Sequence, residues 1–99
     1  MAERRPVQTL TITPIEIEVD KCIVTILEVA RLPMSWMEPG YVYQASCQVR
    51  CGDVTSQVFT ITYRDASELK SKLQVEVTKF RYMIFLYGAR ELRARGLAV

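Results

Sequence analysis

The chain contains no histidine and no asparagine. The missing histidine removes the commonest general base, the usual metal ligand and the nucleophile–base arrangements built on it. A zinc site would then need carboxylates or four thiolates, and there are only 3 cysteines. Carboxylates offer no substitute pairing: Glu16 and Glu18 share one face of an edge strand, where charge discourages edge-to-edge pairing. Glycine-rich phosphate loops and metal-ligand spacings are missing as well. These absences predict a protein that is no enzyme and holds no cofactor, metal or small-molecule substrate. The lack of asparagine, with arginine-rich ends, is the composition expected of a hot source.

Apolar stretches are short. None approaches the roughly 20 residues that a membrane-spanning helix needs, and the Met-Ala-Glu-Arg-Arg-Pro start is followed by no apolar signal-peptide core. The expected setting is cytoplasmic. With 99 residues, 49% of them hydrophobic and 24% charged, the composition predicts one folded domain over 1–99. Within it, 1–8 reads as a flexible arm, 9–63 as sheet and 65–95 as a C-terminal helix.

The sheet is read from period-two alternation. Residues 9–19 alternate but switch parity across Pro14, which suits an edge strand with a bend. Asp20-Lys21 is a two-residue break. Residues 22–31 are apolar on both parities, the pattern of a strand covered on both sides. Pro33, Pro39 and Gly40 make 32–40 a loop. Residues 41–51 alternate cleanly, Gly52-Asp53 turns the chain, and 55–63 forms a fourth strand. A three-residue turn there sets Cys47 opposite Phe59, Ala45 opposite Ile61 and Tyr43 opposite Tyr63, collecting the apolar residues on one face. Gln44, Ser46, Gln48 and Arg50, with Ser56, Thr60 and Thr62, then form a neutral polar face.

Asp65 is placed to cap the helix, with Glu68 in capping-box position. Leu69, Leu73, Val77, Phe80, Ile84 and Tyr87 recur at three- and four-residue spacing as the core stripe. Gly88 marks a kink or cap. The expected fold is α+β, a four-stranded antiparallel meander followed by one long helix.

Residues 80–87 carry a single charge in eight positions. A helix on a one-sided sheet should be polar on its outer half, so Val75, Tyr82, Met83, Phe85 and Leu86 are expected to form an interface between copies of the chain. The order of four strands and then a helix resembles the Whirly and transcriptional-coactivator group of single-strand DNA binders, which dimerise through that helix. The resemblance lies in element order and carries no motif, so no functional residue is transferred from it.

Two further surfaces are candidates. The loop residues Met34, Trp36 and Met37 could anchor a protein partner. The net charge of +2 is uneven. Residues 64–99 hold 8 basic and 4 acidic side chains, and assembly would gather Arg64, Lys70, Lys72, Lys79, Arg90, Arg93 and Arg95 into a surface for single-stranded nucleic acid. One continuous basic stripe would favour nucleic acid, whereas basic residues paired with Glu68, Glu76 and Glu91 would favour an interaction module. Of the cysteines, Cys47 and Cys51 lie roughly 13 Å apart along one strand face, too far for a bridge. Centring the hairpin near residues 36–37 instead brings Cys22 almost opposite Cys51, so a cross-strand disulfide between these two is available.

Overall fold

The structure, a computed structural model, describes residues 8–10 (backbone only), 14–33 and 40–99. Of the expected arm over residues 1–8, residues 1–7 lie outside the described residues, as does the Met34, Trp36 and Met37 loop, while Gln8 already belongs to a strand, paired with Arg31. Six strands and one helix follow in order: β1 (Gln8–Leu10), β2 (Ile15–Val19), β3 (Cys22–Pro33), β4 (Tyr41–Cys51), β5 (Val54–Thr55), β6 (Phe59–Tyr63) and α1 (Ala66–Ala94). Both β1 and β2 pair antiparallel with β3, and both β5 and β6 pair antiparallel with β4. The two outer ribbons are each interrupted once, so the sheet is a four-ribbon antiparallel meander with the helix after it.

Turn chemistry accounts for the hairpins. Asp20 and Lys21 both adopt positive φ, 48° and 68°, the handedness that a two-residue hairpin needs to match strand twist. The β3–β4 register places Ile23 opposite Arg50, Val24 opposite Val49 and Ile26 opposite Cys47. It then shifts by one residue at Leu27, so that Glu28 faces Ser46 and Val29 faces Ala45. This bulge revises the reading of β3 as a strand covered on both sides. Its apolar residues change parity because the inward set, Cys22, Val24 and Ile26, continues as Val29 once the extra residue has passed.

The β4–β6 pairing sets Tyr43 opposite Tyr63, Ala45 opposite Ile61 and Cys47 opposite Phe59, the register that the apolar pattern selects. The expected three-residue turn, however, is not how it arises. Cys51 pairs with Val54 and Arg50 with Thr55, so the turn is the two-residue Gly52-Asp53. The extra residue enters later, at 56–58. Ser56 holds that bulge: its N–H donates to the Val49 carbonyl at 2.7 Å and its Oγ accepts from the Val49 N–H at 2.9 Å. Its Oγ donates in turn to the Gln57 carbonyl at 2.9 Å. Ser56 is therefore buried and fully bonded, not part of the polar outer face.

α1 begins at Asp65, whose carboxylate accepts from the Glu68 N–H at 2.9 Å. Glu68 reaches back to the Arg64 N–H at 3.1 Å, one residue earlier than an ordinary capping box. The helix buries Leu73, Val77 and Phe80 against Val24, Cys47, Val49 and Ile61, with Leu69, Met83 and Ile84 packed at the margin. At Gly88 the backbone leaves helical geometry (φ 82°, ψ 161°), a region essentially reserved for glycine. Leu92 on the far side of the break is fully buried in the same core, whereas Tyr87, expected in the core stripe, is exposed. The break redirects the chain just past Tyr87, so the period that reached it has no core left to meet. Hydrogen bonds from Gly96 N–H to Arg93 O and from Leu97 N–H to Leu92 O close the helix in a Schellman motif. Ala98 then bridges Ser56.

Cys22 and Cys51 are joined by a disulfide across β3 and β4, with their Cα atoms 4.6 Å apart. No helix among the described residues is long and apolar enough to cross a membrane.

Candidate self-association surface

A four-ribbon sheet is about 19 Å wide at roughly 4.8 Å per strand, whereas one helix is about 10 Å across. α1 therefore covers the centre of the inner face and leaves its margin open. Ile15 and Ile17 face the helix side, opposite Ile26 and Val24, and both remain exposed. Open construction also shows in the size of the molecule: its Cα radius of gyration is 15.7 Å, against about 13 Å for a compact domain of 100 residues.

The outer face of α1 carries the larger apolar surface. Phe85 is 84% exposed, Leu86 65%, Tyr82 64% and Val75 54%. Met83, assigned to the same surface by its sequence position, is instead half-buried against the core. Its angle around the helix falls between the core stripe and the outer face. With an exposed aromatic presenting on the order of 150 Å², the four exposed residues make a patch of roughly 500 Å², at the upper end for a monomer's largest patch. Beside it, Asp20, Thr78, Arg81, Tyr82 and Phe85 line a shallow recess. Arg81 closes one side through a 2.6 Å ion pair with Asp20, which ties the middle of α1 to the β2–β3 turn.

The basic residues do not form a free stripe. Lys72 pairs with Glu68 at 3.5 Å and donates to the Thr62 carbonyl at 2.6 Å. Lys79 pairs with Glu76 at 3.3 Å and Arg95 with Glu91 at 2.8 Å. The hydrogen bond from Arg95 to Glu91, reinforced by that carboxylate's charge, raises the guanidinium pKa further, and the group also lies over the Tyr87 ring at 4.6 Å. Arg93 donates to the carbonyls of Val99 and Asp53, a structural role in fixing the chain end. Arg64, Lys70 and Arg90 are exposed. Arg64 and Lys70 sit at the start of α1 and Arg90, Arg93 and Arg95 beyond Gly88, so the long helix separates the two groups.

At the other end of the sheet Tyr43 and Tyr63 stack with ring centroids 5.6 Å apart, and the Arg31 guanidinium lies 4.4 Å from the Tyr41 ring centre. Burial, with Cys47 and Tyr43 nearby, pushes the Tyr63 hydroxyl pKa up. Cys47 is buried and free, and burial raises its thiol to about 11. A thiol held protonated is a poor nucleophile and a poor ligand. Among the described residues no three His, Cys, Asp or Glu side chains come together as a metal site.

The sequence reading missed Ile15 and Ile17 as uncovered residues, since alternation reports which face a side chain takes and not whether a helix is wide enough to reach it. It also missed Ser71 and Thr78, small exposed residues among the apolar ones, although their spacing is legible. Compared with family models, curated proteins and solved structures, the chain matches none.

Proposed function

We propose that the protein is a non-catalytic interaction module that assembles with itself through the outer face of α1. The observation that carries this reading is the exposure of Tyr82, Phe85 and Leu86 on a helix whose other side is already fully used by the core. The most economical cover is a second copy of the same face. Two such faces together hide about 1,000 Å², the lower bound for a specific interface, and Val75, Ile15, Ile17 and Tyr87 extend the apolar surface around it.

The pairing of Lys72, Lys79 and Arg95 with neighbouring carboxylates supports this reading over a nucleic-acid surface, because each cation is already neutralised within its own turn. Tyr82→Glu tests it. A charge on the outer face should split the assembly into single chains while the far-UV circular dichroism stays native. Steep, salt-sensitive capture of a single-stranded oligonucleotide by the unaltered protein would instead favour phosphate contact.

A further inference from the structure

Ser71, Val75, Thr78, Tyr82 and Phe85 follow one another at spacings of four, three, four and three residues. All five are exposed on α1. The mean period of 3.5 is the one at which two helices keep the same side chains facing each other over several turns. Size along this seam runs from small to large. A parallel partner would set Phe85 against Phe85 and Ser71 against Ser71, crowding one end and starving the other of contact. Reversing the partner gives a different match, because the seam read backwards, at spacings of three, four, three and four, stays within one residue of the seam read forwards. Thr78 then meets Thr78, Val75 meets Tyr82, and Ser71 meets Phe85. Each large ring is set against a smaller residue, as close packing of facing positions requires.

Two other features agree. The unbroken helical stretch, residues 66–87, is centred within two residues of Thr78, so reversal about that point loses little overlap at either end. Antiparallel helices also place opposite dipole ends together, which is favourable. We propose, resting on the self-association reading above, that two copies pack α1 against α1 in antiparallel orientation across a two-fold axis at Thr78. Each contact then occurs twice, residue against counterpart and the reverse, as an isologous interface demands.

Three cysteine substitutions in the full chain test the orientation. The Cys22–Cys51 disulfide is already formed and Cys47 is buried, so an added surface thiol is the reactive one. In the antiparallel pair the two Thr78 positions face each other, and Thr78→Cys should give a covalent dimer under mild oxidation. The two Ser71 positions would stand fourteen residues apart along the axis, roughly 21 Å at 1.5 Å per residue. Ser71→Cys should therefore form no covalent dimer with itself, while an equimolar mixture of Ser71→Cys and Phe85→Cys should cross-link as a heterodimer. Ser71→Cys linking to itself as readily as Thr78→Cys would mean parallel helices and overturn the orientation while leaving self-association intact. A dimer by light scattering in which neither Thr78→Cys nor the Ser71→Cys and Phe85→Cys mixture links would place the contact elsewhere and also overturn it. Single chains throughout would remove the self-association reading itself.

Discussion

Among the described residues, replacing Ser56 by alanine should damage the fold more than any other loss of one oxygen atom. The side chain is 7% exposed, and its Oγ is the acceptor for the buried Val49 N–H at 2.9 Å. That amide would otherwise bond a backbone carbonyl of the neighbouring strand, but the extra residue at 56–58 displaces the ladder there. Alanine leaves the buried N–H without its side-chain acceptor, at a cost of about 1–3 kcal/mol, and also loses the bond from Oγ to the Gln57 carbonyl, worth about 1 kcal/mol. Together these give about 2–4 kcal/mol, which lowers Tm by roughly 10 °C or more for a domain of this size. Urea unfolding at fixed protein concentration measures the loss, since stability of an assembling chain depends on concentration. Amide exchange should find Val49 losing its protection. Thr60→Ala, on the exposed outer face, serves as the control and should stay within about 0.5 kcal/mol. If Ser56→Ala also costs under about 0.5 kcal/mol, with the Val49 amide still slow to exchange, the hydroxyl does not hold the bulge and the reasoning fails.

Burial raises the Cys47 thiol from 9.0 to about 11. The stability of the neutral thiol is therefore complete below pH 9 and is lost as pH rises towards 11; urea titrations should find a decline of roughly 2–3 kcal/mol over that window, flattened in Cys47→Ala. The disulfide closes a sequence separation of 29, for which the chain-entropy relation gives about 3–4 kcal/mol, so Cys22→Ser should lower the urea midpoint by a matching amount without changing far-UV circular dichroism. Gly88→Ala meets no neighbour within 4 Å, yet φ of 82° with ψ of 161° should cost about 1–3 kcal/mol of backbone strain, read as a lower Tm and weaker protection of the Leu92 amide.

Most of the architecture was legible in the residues because alternation and capping act locally. The pairing of Cys47 with Phe59 followed from the apolar pattern alone, since a one-residue slip would have turned Phe59 and Ile61 outward. The route to that pairing was not legible. A serine that replaces a backbone acceptor looks like any polar strand residue, and nothing near Leu27 in sequence marks it as the extra residue of a bulge. Tyr87 was misplaced because its spacing continues a stripe that the Gly88 break cuts off in space. For the site, the exposed face of α1 was readable as an excess of apolar residues over what a small sheet can hide. The open margin at Ile15 and Ile17 depends on the width of the helix relative to the sheet, which no local pattern carries. Pairing of the basic residues, too, depends on rotamers that only the folded helix defines.

The central claim is that α1 presents its outer face to a second copy of the chain. Multi-angle light scattering of the unaltered protein across a micromolar concentration series tests it most directly. The account predicts a mass of twice the 11.4 kDa of one chain, falling to one chain with Tyr82→Glu. A mass of 11.4 kDa for the unaltered protein throughout that range would contradict it.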